Sequence, residues 1–328
     1  MKRNHARTFV AAIVVALVST QPAGAQSARL LRIGYVAGIS AAADAPRFDA
    51  FRRGLREAGH VEGRSIVVDT RYASGQLDKL ATYAAELAAL GPDVFVTIGT
   101  PATAAVKKAG GGRPIVFMSV TDPVDAGFVA SLARPGGNIT GITNIAAQLA
   151  GKRLELLKEL HADLVHVAVL WEPRNPGSAA QWADSEAPAS QLGIDLLSMG
   201  VNRVEELDTA FHNFPKTGRH ALVVTLTPLT ASHQRRIADL AIKARVPAIC
   251  PDITYARGGC LMSYCPTFAA TGADVARYVN RILKGAKPAD LPVEQPTTFE
   301  LVINRKTATA LGLAIPVPVL SRADQLVD

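Results

Sequence analysis

The sequence predicts an α/β protein made of two doubly wound parallel-sheet lobes joined by a multi-strand hinge. Short apolar runs alternate with longer helical periodicities from residue 30 onward, an order typical of parallel sheets covered by helices on both faces. This alternation breaks at residues 134–144, "RPGGNITGITN", and then starts again. A chain that winds one such sheet, pauses and winds a second predicts two similar lobes.

The first half of the chain contains four predicted strands and three predicted helices. The helix "RFDAFRRGLREAG" places Phe48, Phe51 and Leu55 on one face, which indicates an amphipathic helix packed on a sheet. The strands are apolar on both sides, as a sheet covered on both faces requires. Their sequences are "LLRIGYVAG", "SIVVDTRYA", "DVFVTIG" and "PIVFMSV". The short "NITGIT" that follows the proline–glycine loop is interpreted as a crossing between the lobes.

The second half repeats the pattern, and the tail indicates that the chain crosses between lobes more than once. Four further strands alternate with helices, and the Pro-rich "AKPADLPVEQP" then separates a helix from a strand-like "FELVINR". The sequence therefore predicts discontinuous lobes. We assign 29–142 with about 268–303 to the N-terminal lobe, and 143–267 with about 304–328 to the C-terminal lobe.

The first 25 residues have the features of a cleaved signal peptide. Lys2, Arg3 and Arg7 precede the apolar "FVAAIVVALVST", and Ala23-Gly24-Ala25 gives a small-x-small cleavage pattern. We expect cleavage after Ala25 and release into the periplasm, since the apolar stretch is short for a membrane span. Removing these residues lowers the net charge from +7 to +4, and the remaining charges are scattered. This distribution excludes a basic surface of the kind that binds nucleic acid.

The three cysteines leave two alternatives open. Cys250, Cys260 and Cys265 lie in one segment, and export would permit a Cys260–Cys265 disulfide. Small buried hydrophobic residues are an equal alternative. Three cysteines without a nearby histidine do not predict a zinc site, and we expect no metal and no cofactor.

Five predicted strands end at a small polar residue beside a proline, and these ends come from both halves of the chain. In open α/β sheets, ligands bind outside the carboxyl ends of the strands. The unpaired N–H groups of a helix N-terminus would attract a ligand carboxylate. Asp122 or Asp252 would hold an ammonium group by a charge-assisted hydrogen bond, with Asp122 the first choice. The five ends are Thr100-Pro101, Thr121-Asp122-Pro123, Asn175-Pro176, Thr227-Pro228 and Pro251-Asp252.

A second explanation applies to each of these sites separately. Proline is favoured in the first turn of a helix, and Ser, Thr, Asp and Asn before it are good N-caps. For one site alone, capping is the better explanation. The recurrence of the pattern in both lobes favours a ligand cleft.

Several segments together resemble a known family. "VFVTIGTPATAAVKKA", "PIVFMSVTDPVDAGFVASLARPGGNITGIT", "GKRLELLKEL" and "VAVLWEPRNPGS" look like the substrate-binding proteins of ABC transporters of the tryptophan/tyrosine-uptake type. The resemblance covers nearly all of the chain after the leader and is most specific from Pro114 to Thr143. It implies a type I periplasmic-binding-protein fold with three crossings and a small ligand between the lobes. Carried over by position, it implies ligand contacts at Gly99, Thr100, Pro101, Ala102, Thr121, Asp122, Asn144, Asn175 and Thr227, to which the strand-end pattern adds Asp252.

This chain departs from the family at two positions near the expected cleft. Cys265 stands where many relatives have Gly, and Glu172 stands where Asn is common. The ligand therefore need not be an aromatic amino acid.

The resulting functional hypothesis is an exported, monomeric receptor that clamps an amino acid or similar small organic solute and delivers it to an ABC permease in the inner membrane. A periplasmic sensor that feeds a membrane kinase or chemoreceptor would use the same fold and cleft. An exported α/β enzyme is disfavoured, because the sequence has no G-x-S-x-G, H-E-x-x-H or phosphate-loop motif.

Overall fold

The first sheet is built in the order that the sequence predicts. The computed structural model describes residues 29–215, 219–267 and 271–328. It begins with β1 (Leu31–Ala37), α1 (Ala41–Glu57), β2 (Ile66–Tyr72), α2 (Leu80–Ala89), β3 (Val94–Ile98), α3 (Thr100–Ala109), β4 (Ile115–Val120) and β5 (Ile139–Thr143). These five strands pair in parallel in the order β2-β1-β3-β4-β5. The order reverses between β1 and β3, and in open α/β sheets such a point opens a crevice where ligands bind.

The second lobe repeats this winding. It contains α4 (Ala150–Leu160), β6 (His166–Trp171), α5 (Pro176–Gln191), β7 (Asp195–Gly200), α6 (Glu206–His212), β8 (His220–Val224), α7 (Pro228–Ser232), α8 (Gln234–Lys243), β9 (Ala248–Cys250), α9 (Ile253–Arg257) and β10 (Met262–Pro266). Here the reversal lies between β6 and β8. The α/β class with two wound sheets is therefore confirmed.

The tail returns to the first lobe and then to the second. The helix α10 (Thr271–Leu283) packs along α1, where Val275 and Val279 share a core with Tyr35 and Phe51. The chain then forms β11 (Phe299–Asn304), α11 (Arg305–Ala310), α12 (Val317–Leu320) and β12 (Gln325–Val327), all in the second lobe. The main chain thus passes between the lobes three times: after β5, between β10 and α10, and before β11.

Three details differ from the expectations drawn from the sequence. "NITGIT" was interpreted as a crossing, but β5 pairs with β4 in the first sheet, and the crossing follows it. The return to the second sheet begins at Phe299, earlier than the expected boundary near residue 304. The second sheet is not wholly parallel, because β10 and β11 are antiparallel. Such boundaries depend on pairing partners distant in sequence, which local periodicity does not report.

The disulfide also differs from the pairing considered above. Cys250 is bonded to Cys260, and Cys265 is a buried free thiol. The short α9 folds back between β9 and β10, which brings Cys250 and Cys260 to a Cα–Cα distance of 6.6 Å. This bridge closes a loop beside the carboxyl end of β9, where Asp252 begins α9.

The expectations of a signal peptide and of no metal site can be compared with the structure only over the described residues. The predicted signal peptide, residues 1–25, lies outside the described residues. Among the residues that are described, no helix combines the length and apolar character needed to cross a membrane. The same residues contain no group of three or more His, Cys, Asp or Glu side chains placed to hold a metal ion.

Candidate ligand cleft

A cavity of about 370 Å³ lies between the lobes, at the carboxyl ends of both sheets. Its volume is in the usual range for small-molecule sites. From the first lobe it is lined by Ile39, Ala43, Pro46, Arg47, Ile98, Gly99, Thr100, Ser119 and Thr121. From the second lobe and the crossings it is lined by Asn175, Gly177, Leu226, Thr227, Pro228, Ala231, Gln234, Asp252, Ile253, Thr254, Tyr255, Arg257, Cys265, Pro266, Thr267, Glu300 and Gln325.

The two lobes touch around this cavity, so the structure is a closed form. The backbone N–H of Ser40 donates to Ser232 Oγ at 3.0 Å, and Arg174 of the second lobe forms an ion pair with Asp78 of the first. Gly177 contacts the first lobe so closely that an added Cβ would lie 2.6 Å from Thr100 Oγ1.

Six of the ten residues singled out from the sequence line the cavity: Gly99, Thr100, Thr121, Asn175, Thr227 and Asp252. Three of them, Asn175, Thr227 and Asp252, also cap the helices that follow them. The same side chains therefore cap a helix and line the cavity, because the N-terminal ends of these helices face the cavity.

The other four lie elsewhere. Pro101 and Ala102 belong to the first turn of α3 and do not line the cavity; Ala102 is fully buried beneath it. Asn144 lies behind the wall, where its side-chain amide donates to the carbonyl of Ser119 at 3.0 Å and to Thr121 Oγ1 at 3.1 Å. Asp122 is half-buried outside the cavity and accepts from the backbone N–H of Asp125 at 3.1 Å.

Asp122 faces the other lobe at the outer edge of the cleft. The pKa of Asp184 on α5 is raised mainly by its partial burial. The nearby charges of Asp122 and Asp125 raise it further. Closure thus brings like charges together at this edge. The first-choice ammonium partner of the sequence analysis is therefore absent from the cavity wall.

Backbone geometry aims two other groups into the cavity. Gly99 ends β3 with φ 87°, a conformation that glycine adopts readily, and this turn directs the N-terminus of α3 toward the cleft. Ser119 has φ 54° at an irregularity in the pairing of β4 with β5. A non-glycine residue in this region carries strain of about 1–3 kcal/mol. The carbonyl of Ser119 is held by Asn144, which helps to maintain this conformation.

The cavity contains one cation from the first lobe and one buried anion from the second. Arg47 of α1 donates from Nε to the fully buried Asp44 at 3.3 Å and from Nη2 to the carbonyl of Ala43. Burial alone would lower the pKa of Arg47, but Asp44 and Asp252 raise it above its usual range. Arg47 and Asp252 therefore attract each other across the cleft.

Asp252 is well placed to bind a cationic group. It is 5% exposed, and Oδ1 accepts from the backbone N–H and the hydroxyl of Thr254 at 2.8 and 2.7 Å. Both bonds use the same oxygen, which leaves Oδ2 for a ligand donor. A buried carboxylate in this position binds an ammonium group through a charge-assisted hydrogen bond.

The rest of the wall is aliphatic and hydroxylated. Ile39, Ile98 and Leu226 supply apolar surface from both lobes. Tyr255 is the one aromatic side chain among the described residues that line the cavity, and its hydroxyl donates to Thr230 Oγ1 at 3.0 Å.

Sequence reasoning missed Arg47, Ser119 and Tyr255. Arg47 and Tyr255 lie within helices, whereas the strand-end pattern selects only residues that directly follow strands. Ser119 lies within β4 and reaches the cavity only through a local change of backbone conformation. The run "ADAPR" before the α1 periodicity combines an acid, a proline and a base. It is the only local signal for Arg47.

Comparison with known proteins identifies the family. Residues 33–327 match the family model described as ABC transporter substrate binding protein. The chain is similar to a tyrosine-binding protein of Clostridioides difficile, with 25% identity over 84% of this chain and 80% of the relative.

Two solved structures share the architecture. One is a conserved domain protein from Vibrio cholerae, 26% identical over 91% of this chain and all of that one, with a TM-score of 0.85. The other is an ABC domain from Streptococcus pneumonia in complex with L-Trp, 27% identical over the same shares, with a TM-score of 0.83. The fold is thus that of the type I periplasmic binding proteins, and the family consists of binding proteins rather than enzymes. The chain belongs to the substrate-binding proteins of ABC transporters.

Proposed function

We propose that this protein captures a small zwitterionic amino acid between its lobes and delivers it to the membrane subunits of an ABC importer. The observation that carries the proposal is the pair of opposite charges in the cavity, Arg47 from the first lobe and Asp252 from the second. The ligand carboxylate would bind Arg47 and the N-terminus of α3, and its ammonium group would bind Asp252. The tyrosine-binding relative and the complex with L-Trp support an amino acid as the ligand class.

This arrangement explains why the ligand would close the clamp. A ligand shifts a conformational equilibrium only by the difference between its affinities for the two states. A zwitterion that contacts Arg47 on one lobe and Asp252 on the other gains both interactions only when the lobes meet. A mostly open population becomes mostly closed with about 5 kcal/mol of differential binding, which a few buried charge-assisted hydrogen bonds supply.

We further propose that the chain is exported and acts as a monomer outside the inner membrane, with the permease as its partner. Support comes from the leader-like N-terminal sequence and from the Cys250–Cys260 disulfide, which is typical of oxidising compartments. Asp252 takes the ammonium-binding role that the sequence analysis gave first to Asp122. Gly99, Thr100, Thr121, Asn175 and Thr227 complete the proposed wall, and Asn144 supports it from behind.

A thermal-shift panel of the twenty L-amino acids tests this function, since a ligand that binds the folded state raises Tm by mass action. For the amino acid with the largest effect, the matching amine and carboxylic acid test whether both charged groups are needed. We expect each to bind at least tenfold more weakly.

The matched variant is Asp252→Asn, because Asn caps a helix as well as Asp does and has almost the same shape. We expect the affinity to fall about tenfold to a hundredfold, which corresponds to a loss of about 1.4 to 2.8 kcal/mol of binding free energy. The Tm of the protein without ligand should stay within about 2 °C of the wild-type value. An affinity equal to that of the wild type would show that Asp252 does not bind the ligand. Failure of all twenty amino acids would reject the proposed ligand class.

A further inference from the structure

Glu172 is a fully buried carboxyl group directly behind the second-lobe wall of the cavity. It follows β6 at the point where the strand order of the second sheet reverses. Its Oε2 accepts from Asn175 Nδ2 at 3.2 Å. Its Oε1 has no hydrogen-bond partner within the described residues, although Thr227 is near enough for its hydroxyl to lower the pKa of Glu172.

The two side chains that Glu172 touches both line the cavity, and hydrogen bonding determines which of their atoms face it. Asn175 Oδ1 accepts from the backbone N–H of Gly177 at 3.1 Å, so its Nδ2 is the group left to donate to Glu172. The Thr230 hydroxyl donates to the carbonyl of Thr225 at 2.7 Å and already accepts from Thr227 N and the Tyr255 hydroxyl. The Thr227 proton is therefore free to point at Glu172.

The ionised form of Glu172 makes this wall an accepting surface. A carboxylate accepts from both Asn175 Nδ2 and the Thr227 hydroxyl, which turns both donors away from the cavity. Neither donor then opposes a cationic group of the ligand on this lobe, whose cavity wall also carries the anion Asp252. The neutral carboxylic acid has a proton of its own, which it donates to the Thr227 hydroxyl oxygen, and the Thr227 proton is then no longer held by Glu172.

We propose that Glu172 is a positioning residue of the ligand cleft and that it releases a proton when a ligand with an ammonium group is captured. The proton passes from the Glu172 carboxyl to the solvent as the ligand brings its positive charge to this lobe. This inference rests on the proposed function, because it requires a cationic group in the cavity.

The electrostatic surroundings of Glu172 agree with this role. Burial raises the pKa of Glu172 to about 7, against the lowering effects of the hydrogen bonds from Asn175 and Thr227 and the charge of Arg174. Arg174 is the charged group that acts on this carboxyl, and it is itself paired with Asp78 of the first lobe. The side chains that α5 and the β8–α7 turn place against Glu172 are neutral: Asn175, Ser178, Thr225 and Thr227. Burial thus keeps the proton on Glu172 to a higher pH than is usual for a glutamic acid.

The test measures affinity against pH for the L-amino acid that gives the largest thermal shift in the panel, in the wild type and in Glu172→Gln. We expect wild-type affinity to rise with pH and to level off above about 7, because the complex needs the ionised form; below 7 it falls by up to tenfold per pH unit. The Gln variant has nearly the same shape and keeps an acceptor for Asn175, but it has no proton to lose. Its affinity should be constant over this range.

Calorimetry gives a readout that a purely structural role would not change. At pH 7, the measured binding enthalpy should differ between phosphate and Tris buffers for the wild type, by the heat of transferring the protons that Glu172 releases, and should not differ for Glu172→Gln. Glu155→Gln, at an exposed ion pair on α4, is the matched control and should keep the wild-type slope. An equal pH slope in Glu172→Gln overturns the inference and leaves the proposed function intact. Absence of binding by every amino acid at every pH rejects both.

Discussion

Gly177 provides a direct test of the closed clamp, because it is a point of close contact between the second lobe and the first. It is the second residue of α5, and a Cβ added there would lie 2.6 Å from Thr100 Oγ1, 3.1 Å from Thr121 Cβ and 3.2 Å from Thr121 Oγ1. Thr100 has little freedom to move, since its Oγ1 accepts from the backbone N–H of Thr121 at 3.1 Å. Gly177→Ala therefore obstructs closure without disturbing the interior of either lobe.

The size of the effect follows from this overlap. Forcing one methyl group into a packed contact costs about 1–3 kcal/mol. Because the open form lacks the contact, the whole cost falls on closure, and the affinity for the bound amino acid should drop about 5- to 150-fold. Within α5 itself, Ala is a better helix former than Gly by about 1 kcal/mol. The ligand-free Tm should therefore stay equal or rise while affinity falls.

The assay is calorimetry with the best amino acid of the panel, together with small-angle scattering of the ligand-saturated protein. Gly137→Ala is the matched control, because a Cβ there meets no heavy atom within 4 Å. We expect the control to bind and close like the wild type. Unchanged affinity of Gly177→Ala would show that the lobes do not meet at Thr100 in the bound state and would refute the argument.

Three further predictions concern stability and the edge of the cleft. Since the pKa of Glu172 is raised to about 7 from its ordinary 4.5, the unfolded chain binds fewer protons than the folded one between these values. The unfolding free energy of the wild type should therefore fall by about 3 kcal/mol relative to that of Glu172→Gln as pH rises from about 4.5 to 7, and then level off. Urea denaturation of both proteins at pH 5 and pH 8 measures this difference. The same pH dependence of the unfolding free energy in both proteins would contradict it. Reducing the Cys250–Cys260 bridge, which joins residues 10 apart, should cost about 3 kcal/mol and lower Tm by about 5 °C. Thiol labelling in denaturant should find one free cysteine before reduction, and a count of three would show that the bridge is absent. Asp122→Asn should leave ligand affinity unchanged or raise it by less than about threefold, because it relieves repulsion of Asp184 at an exposed edge. A tenfold loss of ligand affinity in calorimetry would show that Asp122 contacts the ligand.

Local pattern was enough to predict the two wound sheets, because an apolar strand followed by an amphipathic helix is a property of consecutive residues. The same applies to Asn175, Thr227 and Asp252, whose places at strand ends before helices put them at the edge where a ligand binds. Asp122 followed the same pattern but faces Asp184 outside the cavity. A strand-end pattern identifies the correct edge of a sheet without giving the direction of each side chain.

The tertiary structure alone decided which charges meet. Arg47 reaches the cavity from within a helix, and it faces Asp252 only because closure brings together residues about 200 positions apart. The disulfide partner of Cys250 was likewise decided by the fold of α9 between two strands, since the sequence left a Cys260–Cys265 bridge and three unbonded cysteines as open alternatives. The proton affinity of Glu172 depends on its complete burial, which comes from packing around β6 and α5. By itself, the sequence determined the repeating elements and the edge at which a ligand binds. The charges, distances and desolvation that define the site arise only when distant segments pack against each other.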